Sequence, residues 1–197
     1  MFKKYFRGLT TIALLFSASL AMAGQYQLVG EQSSLYFTSI KNSDIAETHH
    51  FTDVAGSIDK DGKANVVVQL ASVETHIAIR NERMQSMLFN VLEMPKAVVS
   101  AHLSTSLMKQ LTSGAVIDQT LPVTIELHGK QATQESDLRI AVLTDGSVQV
   151  TTRNPLFIDA TDFSLTEGIE KLREIAGLKS ITAIVPVTAT FLFKPTK

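Results

Sequence analysis

Ser72–Leu103, SVETHIAIRNERMQSMLFNVLEMPKAVVSAHL, decides the fold of this chain. It joins two strands through a short helix. Just before it, Val66, Val68 and Leu70 alternate with Val67, Gln69 and Ala71, the period of a half-buried strand. The alternation stops at Glu74-Thr75, and Arg80-Asn81-Glu82-Arg83 is polar and charged. Met84, Met87, Leu88 and Val91 then recur at helical spacing, so one apolar helix face is expected there. Pro95 ends it, because the residue before a proline is pushed out of the α region. From Ala97 the alternation resumes, with Ala97, Val99, Ala101 and Leu103 on one face and Val98, Ser100, His102 and Ser104 on the other.

The rest of the chain repeats the strand rhythm. Leu35 and Phe37 alternate with Tyr36 and Thr38 in the opening strand, Tyr26 to Ile40. Asp44 to Asp53, with His49-His50, reads as a polar loop, and Val54, Gly56 and Ile58 as a short strand. Asp61-Gly62 is a hairpin signal. Lys109 to Ala115 reads as a turn. Leu121, Val123, Ile125 and Leu127 alternate with polar partners, which gives a strand with one wet face. Leu138, Ile140 and Val142 continue, and Asp145-Gly146 turns the chain onto Val148 and Val150. Ser164 to Glu167 has the form of a capping box. Ile169, Leu172 and Ile175 give a helical face, which Gly177 ends. Ile181 to Phe193 is the last strand, and Pro186 predicts an edge or bulge in it. Roughly eight strands by this alternation rule, with two helical interruptions, describe a mainly β, antiparallel barrel or sandwich.

Met1 to Ala23 has the physics of a secretory signal peptide. Lys3, Lys4 and Arg7 precede a mostly apolar core, Leu9 to Leu20, and Ala21-Met22-Ala23 is a small-x-small cleavage site. Residues 24–197 then form one domain. The leader takes three of the 18 basic residues, leaving 15 against 19 acidic ones, a net charge of −4. That argues against nucleic acid or an anionic membrane surface as the main partner. No later stretch has the length of a membrane-spanning helix. The chain has no cysteine, which excludes thiol catalysis and thiolate metal sites. No nucleophile elbow, phosphate loop or Ser/His/Asp set is present. His49 and His50 are adjacent and His76, His102 and His128 lie on three different segments; all five read as solvated. No cofactor, metal or catalytic residue is expected.

Ser72-x-x-Thr75, Arg80-Asn81-x-x-Met84, Phe89-Asn90-Val91 and Met94-Pro95-x-Ala97 together resemble the YceI-like family over about 30 residues. The family's usual form is S-[IV]-x-T, then R-[DN]-x-H-L, F-[FLD] and [YH]-P-x-[AI]. Gly56, Leu127-His128-Gly129 and Asp162-Phe163 also fit family positions. Arg83 departs from the pattern, standing where the family has histidine. The resemblance implies an eight-stranded, lipocalin-like antiparallel barrel with one or two short helices. It also implies a secreted, periplasmic protein that binds a long apolar lipid, an isoprenoid chain such as a quinone or polyprenyl lipid. The candidate ligand contacts are Phe37, Val68, Leu70, Ile79, Arg80, Met84, Met87, Leu88, Phe89, Phe157, Phe163 and Leu172. Arg80 has two readings: a head-group contact, or a tie to backbone carbonyls of its own loop. Two rival functions remain at this level. One is a lipid-modifying enzyme using Glu74, His76 or Glu82 at the barrel mouth; the other is a self-filled barrel acting as a protein-interaction module. A homodimer is compatible with the sequence, although no residue pattern specifies one.

Overall fold

Strand rhythm becomes a closed wall in the computed structural model, which describes residues 25–196. The leader expected over residues 1–23 lies outside the described residues. Twelve hydrogen-bonded segments run in chain order: β1 (Tyr26–Leu28), β2 (Ser34–Lys41), β3 (Ile45–Phe51), β4 (Val54–Ile58), β5 (Lys63–Gln69), β6 (Val73–Glu74), β7 (Lys96–His102), β8 (Val116–Leu127), β9 (Lys130–Val142), β10 (Val148–Thr152), β11 (Leu156–Asp159) and β12 (Ile184–Pro195). Three helices interrupt them: α1 (Ala78–Arg83), α2 (Thr105–Gln110) and α3 (Thr166–Ile175).

The twelve segments are eight strands. β1 and β2 together flank β12, β3 and β4 flank that pair, β5 and β6 follow, and β10 and β11 both lie on the other edge of β12. Each sequential neighbour is antiparallel. Pairing of Leu28 with Phe193 closes the ring, although β6 and β11 each pair along one side alone. Side chains patch two of the breaks. Ser33 Oγ donates to Val29 O at 2.8 Å and accepts from Leu192 N at 3.0 Å, standing in for a backbone carbonyl between β1 and β2. Ser72 does the same between β3 and β4, where its hydroxyl accepts from Asp53 N at 3.0 Å.

Connections alternate between the two ends of the barrel. One end receives residues 42–44, the long segment 75–95, the turn 128–129 and the loop 160–183, and therefore carries α1 and α3. The other end receives residues 59–62, 103–115 and 143–147, and α2 closes it with Leu107 buried. The His128-Gly129 turn has φ of +51° and +71°, the double left-handed pair of a two-residue hairpin, with Leu127 opposite Lys130.

Four local expectations need correction. Residues 45–51 are strand β3, not a loop: Tyr36 pairs with His50 and Phe37 with His49. Two inward residues of this strand, Glu47 and His49, are polar, which hid its period. Helix α1 begins at Ala78 and includes the charged Arg80–Arg83 run. It then widens into a π-turn at Met84–Leu88, with Phe89 N donating to Met84 O at 3.0 Å, and Asn90 at φ +49° ends it ahead of Pro95. Helix α2 runs through Lys109 and Gln110, the first two residues of the expected turn, and is capped by Ser104 Oγ accepting from Leu107 N at 3.2 Å. The capping box at Ser164 does not form. Ser164 has φ +57°, and the buried Leu165, whose side chain carries no acceptor, takes the cap position.

The expected irregularity at Pro186 is present. Phe37 pairs with Val187 and Lys41 with Ile181, so four steps in β2 face six in the last strand. The two surplus residues between Ile181 and Val187 form a bulge on the β2 side, while Pro186 stays in register opposite Phe157 on the β11 side.

Candidate functional site

The inward faces of the eight strands do not meet. They enclose a cavity of about 270 Å³. Its wall contains Leu35 and Phe37 from β2, Val66 and Val68 from β5, Val123 and Ile125 from β8, Leu138 and Ile140 from β9, and Val187, Ala189 and Phe191 from β12. Small residues (Ala97, Ala101 and Ala189 among them) occupy inward positions where a larger side chain would fill the void. Among the described residues no charged side chain lines it.

Two helical segments close one end. In the π-turn, Met84, Leu88 and Phe89 reach the cavity, and the extra residue of the turn lets positions four and five apart share that face. From α3 and the residue before it, Leu165 and Ile169 reach the same space. The two segments touch at Gly168. A Cβ on Gly168 would lie 2.8 Å from Leu88 Cα and 2.8 Å from Met87 O, so only glycine permits this crossing.

Beyond Phe37 and Phe51 the inner face of β2 and β3 becomes polar. His49 packs edge-on to Phe37, with ring centroids 5.3 Å apart, and is 3% exposed. Its Nε2 lies 3.2 Å from Ser39 Oγ, while Nδ1 has no hydrogen-bond partner. Burial, with the Arg80 charge second, lowers its pKa to about 4. Glu47 accepts from Lys41 Nζ at 2.8 Å and from Arg80 Nη1 at 2.6 Å. The hydrogen bond from Lys41 is the largest influence holding the Glu47 carboxyl below its ordinary value. Arg80 Nη2 donates to Thr75 O at 2.7 Å. Asn81 Oδ1 accepts from Thr75 N at 2.9 Å and Thr75 Oγ1 at 2.6 Å. Glu74 takes the His76 N–H and, at 3.2 Å, Asn81 Nδ2; the backbone bond is the main reason its carboxyl titrates low. The motif residues Thr75, Arg80 and Asn81 thus fix the base of the lid to the barrel rim.

Of the twelve expected contacts, Phe37, Val68, Leu70, Met84, Leu88 and Phe89 line the cavity. The other six do not, which corrects their placement. Ile79 is 50% exposed on the outer side of α1, and Met87 is 38% exposed on the outer side of the π-turn. Arg80 is spent on Glu47 and Thr75. Phe157 is 60% exposed, because Leu156 and Ile158 take the inward positions of β11. Phe163 is buried in a second apolar cluster with Val123, Ile125, Ala160, Leu165 and Ile169, behind the cavity wall. Leu172 packs against the core from α3 without reaching the void. Glu74, His76 and Glu82 do not line it either. The histidines are not all solvated, since His49 is buried; His50 and His76 rings stand 5.9 Å apart. Among the described residues no group of three His, Asp or Glu side chains is placed to hold a metal. Leu156, Ile158, Leu165 and Ile169 are among the lining residues that the expected contacts did not include. Their apolar character was visible, but not their direction.

A closed antiparallel barrel of eight strands around one apolar cavity, with a helical lid, defines the lipocalin-like class of architecture. The YceI-like domain model matches residues 26–193, and the chain belongs to that family. A UPF0312 protein of Yersinia enterocolitica is 33% identical over 141 residues, 64% of this chain and 72% of its own. A polyisoprenoid binding domain from Saccharophagus degradans, described as implicated in plant cell wall breakdown, superposes with a TM-score of 0.84 at 32% identity. That match covers 87% of this chain and 99% of that one. BcnA of Burkholderia cenocepacia shares the fold at TM-score 0.61 and 13% identity, over 84% of this chain and 98% of its own.

Proposed function

We propose that the protein binds a long apolar lipid of the isoprenoid class and shields it from water in the periplasm, in sequestration or transport. The observation that carries this is the cavity itself: an unfilled space at the barrel centre, walled by aliphatic and aromatic side chains and closed by a lid of flexible Met84 and Leu88 with Phe89. Such a wall offers no charge to orient a reaction. It offers burial, worth about 0.8 kcal/mol gross for each methylene removed from water. The Saccharophagus relative, a polyisoprenoid binding domain by description, supports the same ligand class. The void speaks against the self-filled barrel, and the positions of Glu74, His76 and Glu82 outside it weaken the lipid-modifying reading.

Native mass spectrometry of the protein purified from its own periplasm, followed by organic extraction, tests the proposal. A bound species of isoprenoid mass is expected. A clean unliganded mass that takes up neither polyprenols nor quinones refutes it.

A further inference from the structure

Three hydroxyl residues border the cavity: Ser100, Ser136 and Thr152. Thr152 is satisfied, with Oγ1 3.4 Å from Ala189 O and 3.1 Å from Ala189 N. Ser100 belongs to the outward register of β7, opposite Thr124, and also edges a shallow groove on the outside of the barrel. Ser136 differs from both. It shares the inward register of β9 with Leu138 and Ile140, stands opposite Leu121, and is 2% exposed. Its Oγ has no hydrogen-bond partner. Buried polar groups are nearly always paired, and an orphan inside an apolar wall needs a reason.

The topology explains why the protein does not supply the partner. β10 follows β9 as far as Thr152 opposite Leu138, and Arg153 N reaches Asp137 O at 2.8 Å. The chain then bends, and β11 pairs with β12 alone. Ser136 is the first inward residue past that parting, midway along β9, with Leu121 across from it on the other side. Rotation about one bond re-aims its hydroxyl without moving the backbone.

We propose that Ser136 is the recognition point for an oxygen atom on the lipid. The cavity takes an isoprenoid carrying a carbonyl or hydroxyl, with its oxygenated end inside the barrel at Ser136, in preference to a wholly hydrocarbon chain. This rests on the lipid-binding reading above and adds the ligand's polar group and its orientation. A serine hydroxyl both donates and accepts, so a quinone carbonyl and a prenol hydroxyl each satisfy it.

The test is a native mass-spectrometric titration of wild type, Ser136→Ala and Ser136→Thr. Three probes are used: phytane, which is all hydrocarbon; phytol, which adds one hydroxyl; and a short-chain prenylquinone. Wild type is expected to bind phytol or the quinone more tightly than phytane. Ser136→Ala should weaken the oxygenated ligand about five- to tenfold, the scale of one hydrogen bond, and leave phytane unchanged. Ser136→Thr keeps the hydroxyl and should keep the preference. The melting temperature of Ser136→Ala should equal or exceed that of wild type, since an orphan is removed; a marked drop would reveal a structural partner and overturn the assignment. Equal losses for phytane and the oxygenated probe, or no loss for either, overturn the inference alone. Failure of wild type to bind any of the three overturns the lipid-binding reading with it.

Discussion

Gly168→Ala tests whether the lid is held by the crossing of α3 on the π-turn. The new methyl would sit 2.8 Å from Leu88 Cα and from Met87 O, and 3.1 Å from Leu88 Cδ1. Two of these three atoms are backbone, so no side-chain rotation relieves the clash, and the segments must separate. Overpacking of this kind costs about 1–3 kcal/mol. Alanine regains up to about 1 kcal/mol of helix propensity. A net loss of about 1–2 kcal/mol follows, which lowers the urea midpoint by roughly 0.5–1 M for a slope near 2 kcal/mol/M. Because Leu88 and Ile169 both face the cavity, the same separation should speed release of a bound isoprenoid in a stopped-flow exchange assay. Gly177→Ala serves as the comparison. It has φ +64° and nothing within 4 Å, so its cost of about 1 kcal/mol is local backbone strain, and exchange should not change. A Gly168→Ala protein as stable as wild type or more so would show that propensity alone governs the site and that α3 does not press on the π-turn.

Acid should destabilise the fold in two overlapping windows. His49 has its pKa lowered from 6.5 to about 4, so the unfolded chain binds its proton first, and stability falls as pH drops from about 6.5 to 4, by at most about 3 kcal/mol. Glu47, whose pKa is also depressed, adds a loss in the same direction as it protonates below the ordinary carboxylate range. Urea melts of wild type and His49→Phe at pH 7 and 4.5 check this, and an unchanged pH slope in the variant would reject the His49 assignment. Arg80→Met should cost about 1–2 kcal/mol through the loss of the Glu47 and Thr75 bonds while leaving the affinity of the cavity for a hydrocarbon ligand near wild type; a selective loss of affinity would return Arg80 to the ligand site. Ala189→Phe should fill the void, abolish uptake of long isoprenoids in native mass spectra and change stability little, because the ring enters existing space.

Alternation found most of the wall because most strands put apolar side chains inward and polar ones outward, as Leu121 to Leu127 do. It failed at β3 for a definite reason: Glu47 and His49 point inward there, and their compensation comes from Ser39 and Lys41 of β2 and from Arg80 of α1. It also failed within Leu156-Phe157-Ile158, where three consecutive apolar residues leave the period without a phase. Pairing of Phe157 with Pro186 sets that phase, and it turns the largest of the three outward. The family motif covers the segment that closes one end of the barrel, but it does not show the duties of that segment's residues. Thr75, Arg80 and Asn81 bond to one another and to the rim, whereas Met84, Leu88 and Phe89 do the lining. Whether a barrel is open or filled is harder still to read. Ala97, Ala101 and Ala189 obey the same inward period as valine or phenylalanine would, so hydrophobic pattern treats them alike. The void arises because small inward residues from different strands leave space that their larger neighbours do not cross. That sum of volumes exists only after the ring closes, and the function proposed here depends on it more than on any single motif.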